Sequence, residues 1–209
     1  MSLVVLEGNI GAGKSTVLVE LEKMGYRVEQ GAVVDSDSMF SRALRSNSTF
    51  HLQVAASIDT YVRLERTIST PGDVRCFMER GRHGLETFLQ VAKENNMVSP
   101  LEYDLCCALK TTTEKATQHH SNSEMVIFLE VEPSLCFQRV KSRNRIGEEN
   151  ITLDYLRRID HWYRTVLFDT ANVNVVAKVT VQKEWSAHDV ATAIVDTIAA
   201  NHAKATASK

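Results

Sequence analysis

Gly8-Asn9-Ile10-Gly11-Ala12-Gly13-Lys14-Ser15-Thr16 satisfies the pattern G-x-x-x-x-G-K-[ST] in full. The apolar run Leu3–Leu6 precedes it and helical spacing opens at Ser15, so the loop lies between a strand and a helix. Each part has a physical task. Glycines let the backbone turn tightly and bring its N–H groups onto phosphate oxygens. The N-terminus of the next helix adds a field that favours anions. Lys14 brings a point charge to β- and γ-phosphates, and Ser15 offers a hydroxyl to Mg²⁺. The loop therefore implies a bound nucleoside triphosphate, and leaves open whether the phosphoryl group goes to an acceptor or to water.

Two further groups of residues could act on that phosphate. Val74-Arg75-Cys76-Phe77-Met78 reads as a strand and is followed by Glu79-Arg80-Gly81. Ligands of an open α/β sheet bind at the carboxyl ends of its strands. There Glu79 could reach Mg²⁺ or its waters, and Arg80 the transferring phosphoryl group; the plainer alternative is an ion pair at a helix start. Arg139, Lys141, Arg143 and Arg145 stand at alternate positions where an amphipathic helix ends. Arginine forks suit phosphate, and phosphoryl transfer needs charge neutralised and water excluded. A mobile basic segment would do both. The plainer alternative here is a solvated helix end balanced by Glu148 and Glu149.

The elements that must position these residues follow from periodicity. Strands are expected at Leu3–Leu6, around Tyr26–Glu29, and at Val74–Met78, Met125–Val131 and Val173–Val181. Helices are expected at Ser15–Met24, Phe50–Ile68, Gly84–Asn95, Ser99–Ala116, Pro133–Arg143, Thr152–Phe168 and His188–Ala200. Strands alternating with helices indicate an α/β domain with a parallel sheet. The 209 residues suit a single domain, taken as 1–201, with a disordered tail over 202–209. A net charge of −2 excludes a protein that coats nucleic acid. The four cysteines form no C-x-x-C pair, and nothing resembles a signal peptide or the roughly 18-residue apolar run of a membrane span. The expectation is a cytoplasmic protein without membrane or nucleic-acid partners.

Three stretches, in order, resemble the deoxynucleoside kinases, a family that includes the herpesviral-type thymidine kinases. They are Leu6–Thr16, Met78-Glu79-Arg80, and Arg139–Glu149 followed by a helix near Leu153. The resemblance runs over roughly residues 3 to 182. It implies a three-layer P-loop kinase fold: a five-stranded parallel sheet flanked by helices, with an arginine-rich lid at about 139–151, in a homodimer. It also implies transfer of the γ-phosphoryl group of ATP, with Mg²⁺, to the 5′-hydroxyl of a (deoxy)nucleoside.

On this resemblance ATP lies on residues 8–16, namely Gly8, Asn9, Ile10, Gly11, Ala12, Gly13, Lys14, Ser15 and Thr16, and is met by Arg139, Arg143 and Arg145 of the lid. Ser15 and Glu79 would hold the metal, and Lys14, Arg80 and Glu29 would be catalytic. Glu29 stands where the family has its base, with Gln30 where Pro is usual; Asp35 and Asp37 are the runners-up, and a solvent-facing strand-end Glu is the plain alternative. Gln53 corresponds to the glutamine that pairs with a nucleobase edge, for which an amide has both donor and acceptor. Phe40 replaces the tyrosine that contacts the sugar 3′-hydroxyl. The family's Trp is missing from Gly31–Ser38, and Gly81 stands where Ser is usual. His83, His119, His120 and His161 show no triad or metal spacing, and Trp162 and Tyr163 read as helix packing. The nearest alternative is a thymidylate-like monophosphate kinase, which would need a second phosphate site and no carboxylate base. A kinase of another small metabolite and a regulatory ATPase are more distant.

Overall fold

The computed structural model describes residues 3–31, 38–69, 75–117, 124–145, 147–169 and 176–207. Strands β1 (Leu3–Gly8), β2 (Arg27–Glu29), β3 (Cys76–Glu79), β4 (Glu124–Glu130) and β5 (Val176–Thr180) form one parallel sheet in the order β2-β3-β1-β4-β5. Helices α1 (Lys14–Lys23), α2 (Met39–Arg45), α3 (Thr49–Ser69), α4 (Arg82–Glu94), α5 (Pro100–Thr117), α6 (Pro133–Arg143), α7 (Leu153–Arg164) and α8 (Ala187–Ala207) flank it. The expected α/β architecture with a five-stranded parallel sheet is the one observed.

β1 is central, bonded to β3 on one side and β4 on the other. A parallel strand covered on both faces must be apolar throughout rather than alternating, and Val4, Val5 and Leu6 are all buried. Successive side chains still point to opposite faces. Val4 and Leu6 join Phe77, Leu18 and Leu21 in the large core, while Val5 and Met78 pack with Tyr61, Leu64 and Leu85. Each such side chain contributes about 1.5–3 kcal/mol by leaving water. The register pairs Leu6 with Glu79, and Arg80 N–H continues the ladder to Leu6 C=O at 3.0 Å. The phosphate loop after β1 and the Glu79-Arg80 pair after β3 thereby leave the same end of the sheet side by side.

Three details differ from expectation. α2 has no counterpart in the sequence reading: only seven residues long, it is capped by Ser38, whose hydroxyl accepts from Ser41 N–H. α7 continues into a π-helical turn, Thr165–Asp169, instead of remaining α-helical to Phe168. α8 runs to Ala207, so the backbone at 202–207 is helical where a disordered tail was expected. Ala203, Ala205 and Ala207 lie in that stretch, and alanine is the best helix former. No described helix is long and apolar enough to cross a membrane.

Candidate active site

The phosphate loop is built as its sequence demands. Gly13 caps α1 at φ 95° with no side-chain cap, which leaves the N–H groups of the first turn to an outside acceptor. Gly11 has φ 81°, and a Cβ on it would stand 2.5 Å from Cys136 C=O of α6. Asn9, 2% exposed, donates from Nδ2 to Leu156 C=O at 2.8 Å and accepts from Ile10 N–H at 2.9 Å. Its side chain therefore ties the loop to α7. Lys14, 4% exposed, donates from Nζ to Gly8 C=O and Asn9 C=O, each at 2.8 Å. Burial, with the Arg80 charge next, lowers its pKa to about 8.

Glu79 and Arg80 meet this loop. Ser15 Oγ donates to Glu79 Oε2 at 2.9 Å. Burial works to raise the Glu79 pKa, but Lys14, Arg80 and the Ser15 hydroxyl outweigh it and keep the carboxylate below its usual range. Arg80 adopts φ 52°, a left-handed conformation uncommon outside glycine. Its guanidinium carbon lies 4.5 Å from the centre of the Phe88 ring, and its buried Nε has no hydrogen-bond partner among the described residues. Lys14, Ser15, Glu79 and Arg80 are thus one group: two cations, a hydroxyl and a carboxylate at a helix N-terminus. That set can neutralise a polyphosphate and hold a hard cation.

Three residues given no role in this site by the sequence reading support it. Glu7 is fully buried, and its Oε1 accepts from Gly81 N–H at 2.9 Å and Gly84 N–H at 3.0 Å. Tyr163 Oη donates to Glu7 Oε2 at 3.0 Å, so Tyr163 does more than pack a helix. Arg63, 7% exposed, pairs with Asp59 and donates to Glu79 C=O at 2.8 Å and Arg80 C=O at 3.5 Å. A signal existed for Glu7: a carboxylate ending a central apolar strand must find partners inside.

The other expected residues are placed less uniformly. Arg139 donates to Ala12 C=O at 3.4 Å and so reaches the loop. Arg143 is instead held by Glu148, with Nε to Oε2 at 2.8 Å, and Arg145 is exposed. The chain bends after Arg143 at Asn144, which takes φ 44°, and Lys141 Nζ donates to Glu149 C=O at 2.9 Å. Glu29 has its carboxylate on Arg27 at 3.3 Å and Arg66 at 3.8 Å, and no bond joins it to the Lys14–Arg80 group. Those two arginines, on its own strand and on α3, compete for it. Gly31 follows closer to the site, with its Cβ position 3.6 Å from Glu79 Cδ. Gln53 is 8% exposed on α3, its amide unpartnered among the described residues, and Phe40 is half-buried on α2. Asp35, Asp37, His119 and His120 lie outside the described residues. Trp162 Nε1 donates to Glu94 at 2.7 Å.

A parallel sheet with a phosphate loop after its central strand, and an acid–arginine pair after the neighbouring one, defines a nucleotide-binding kinase of the P-loop class. The deoxynucleoside kinase family model matches residues 4–201, and the chain belongs to that family. It is 29% identical over 177 residues to putative kinase protein 029R of Invertebrate iridescent virus 3, covering 83% of this chain and 86% of that protein. It is 28% identical to a putative deoxynucleoside kinase of Frog virus 3 (74% and 77% covered), and 24% identical to deoxyadenosine kinase of Dictyostelium discoideum (88% and 72% covered). In fold it is similar to deoxyadenosine kinase from M. mycoides with bound dCTP, with a TM-score of 0.73 at 20% identity, covering 95% of this chain and 99% of that one. The protein is accordingly a deoxynucleoside kinase, a phosphotransferase acting on nucleosides with ATP as the family's donor.

Proposed function

We propose that this chain phosphorylates the 5′-hydroxyl of a deoxynucleoside from Mg²⁺-ATP, through the group Lys14, Ser15, Glu79 and Arg80. The observation that carries the reading is their convergence on the phosphate loop, sealed by the 2.9 Å bond between Ser15 and Glu79. Both residues offer hard oxygen donors, and Mg²⁺ characteristically takes one or two protein oxygens and fills its sphere with phosphate and water. When bound, the ion would neutralise charge developing on the phosphate oxygens.

Residues 8–16 wrap the phosphates through backbone N–H groups, and Lys14 exchanges its two carbonyl acceptors for phosphate oxygens. Arg80 faces the transferring group from the β3 side, and Arg139 from the lid; Arg143 and Arg145 join only if the lid closes and Arg143 leaves Glu148. Gln53 offers its amide to the base, and Phe40 an apolar contact to the sugar. Glu29 is the carboxylate available at the end of β2, and acting as a base requires it to leave Arg27 and Arg66 for the acceptor hydroxyl. The four free thiols, three of them buried, suit the reducing cytoplasm. Ile58 and Val62 of α3, with Leu101 and Leu105 of α5, are exposed apolar residues one turn apart on two neighbouring helices. They fit a homodimer face, and a monomeric sedimentation mass would exclude it.

The test is ADP release from Mg²⁺-ATP with separate panels of nucleosides and nucleoside monophosphates. Release that depends on a nucleoside supports the reading and names the base. Release only with a monophosphate overturns it and removes Glu29 as base.

A further inference from the structure

The Glu79–Gly84 turn holds a conformation that its own sequence does not favour. Arg80 sits at φ 52° with a full side chain, a placement that persists only where the surroundings over-determine it. Those surroundings are specific. From below, Glu7 at the end of β1 takes two backbone N–H groups of the turn, Gly81 and Gly84, on a single oxygen. From the side, Arg63 of α3 donates to the two carbonyls that bracket the strained residue, Glu79 C=O and Arg80 C=O. A carboxylate accepts and a guanidinium only donates, so the two groups grip opposite polarities of the same backbone segment. Tyr163, 0% exposed on α7, fixes the second oxygen of Glu7. Its ring also meets the edge of Phe88, the ring over which the Arg80 guanidinium lies. Three elements distant in sequence thus meet at one backbone turn.

We propose that Glu7, Arg63 and Tyr163 are positioning residues for phosphoryl transfer: a three-sided clamp that forces Arg80 into its left-handed conformation and aims its guanidinium at the phosphate loop. This rests on the assignment of Arg80 to the transferring group. None of the three is a catalytic residue, since each acts through the backbone or the side chain of the Glu79–Gly84 turn. A carboxylate in the middle of the core, and an arginine on the buried side of α3, are costly to place. The clamp gives that cost a mechanical return, because the turn they hold carries Arg80, the side chain assigned to the transferring phosphoryl group. The clamp also sorts the effects of damage. Loosening it should lower turnover more than ATP binding, because Lys14 is held within the loop by the Gly8 and Asn9 carbonyls and, among the described residues, only the Ser15–Glu79 bond ties the loop to the turn.

The experiment is a double-mutant cycle. Tyr163→Phe removes one hydroxyl and keeps the ring, and Arg63→Lys keeps a charge that cannot span two carbonyls. Each should lower kcat by about 10-fold or more while KM for ATP stays within about 3-fold. In an Arg80→Gln background the same substitutions should cost less than about 2-fold, because there is no guanidinium left to aim. Melting temperatures of all six proteins, wild type included, identify any variant that fails to fold, and Arg63→Lys serves if Tyr163→Phe does. Equal losses in both backgrounds overturn the clamp and leave the role of Arg80 standing. Wild-type turnover in Arg80→Gln alone overturns both the role of Arg80 and the clamp built for it.

Discussion

Gly84→Ala separates two accounts of the first turn of α4 by the sign of its effect. On backbone grounds the change should help: Gly84 is helical without a positive φ, and alanine is better than glycine inside a helix by about 1 kcal/mol. The packing says otherwise. A Cβ there would stand 2.3 Å from Arg80 Cγ, 2.9 Å from Arg80 Cδ and 2.8 Å from Glu7 Oε2. Cγ lies near the root of the side chain and moves only if χ1 turns, and a forced rotamer costs about 0.5–1.5 kcal/mol. Overpacking as a whole costs about 1–3 kcal/mol. The net expectation is destabilisation by roughly 1 kcal/mol, which in a chain of this size lowers Tm by about 2–4 °C.

The loss of activity should be larger than the loss of stability. The Arg80 guanidinium reaches its place by lying across Gly84 onto the Phe88 ring one turn further along α4. A misplacement of about 1 Å at a reacting centre can cost about 100-fold. The assay is ADP release at saturating nucleoside, alongside thermal melts of the nucleotide-free protein followed by circular dichroism. We expect kcat to fall about 100-fold with KM for ATP little changed, since residues 8–16 are untouched. A Tm that rises, with kcat intact, would refute the reasoning: the glycine would then be a helix defect and not the seat of Arg80.

Lys14→Met should abolish transfer while keeping the circular dichroism of the fold, and near-normal turnover would remove the phosphate loop from the mechanism. The folded Lys14 holds its proton only to about pH 8, against 10.5 ordinarily, so the unfolded state binds more protons between those values and stability from this group rises with pH across them. Denaturant titrations should therefore favour wild type over Lys14→Met more at pH 10 than at pH 7.5, and ATP affinity should weaken as pH passes about 8. His83 behaves in the same sense at acid pH: burial first, then Arg82 and Lys110, lower its pKa to about 4. The unfolded histidine binds its proton below about 6.5, so stability from this group falls as pH drops from 6.5 to 4, by about 3 kcal/mol at most. His83→Leu should flatten that limb, and an unchanged acid profile would show that the loss arises elsewhere. Glu29→Gln should reduce turnover far more than ATP binding; a pH–rate profile identical to wild type would place the base elsewhere.

Much of the fold was legible because its signals are local. β1, β4 and the phosphate loop announce themselves by continuous apolar runs and by glycine spacing, and the strand order then sets which ends meet. α2 was not legible for the converse reason. Met39–Arg45 is short, and it begins with a capping serine among several serines and aspartates that read equally well as loop. The π-turn after α7 is invisible for a related reason: Thr165–Asp169 continues the apolar periodicity of a helix, and Val166 and Leu167 are buried as a helix would bury them.

The site divides along a different line. Lys14, Ser15, Glu79 and Arg80 could be read from sequence because each lies within a few residues of a strand end. Arg63 and Tyr163 could not, and for Glu7 only the need for buried partners was legible, because the partners are 17, 156 and 77 residues away in the chain. Position on a strand also says nothing about how a carboxylate is spent. Glu7 and Glu29 both stand at the carboxyl ends of β-strands, yet Glu7 is consumed by backbone N–H groups and a phenol, and Glu29 by two arginines. Glu79 alone of the three meets a hydroxyl of the phosphate loop. The difference lies in what the neighbouring strands and helices bring to each carboxylate: a turn that needs holding, a cationic face of α3, or the open N-terminus of α1. The contacts that a carboxylate at a strand end makes therefore follow the polarity of the groups facing it. Local neighbours such as Arg27 and Arg80 contribute to that polarity, and tertiary pairing supplies the rest.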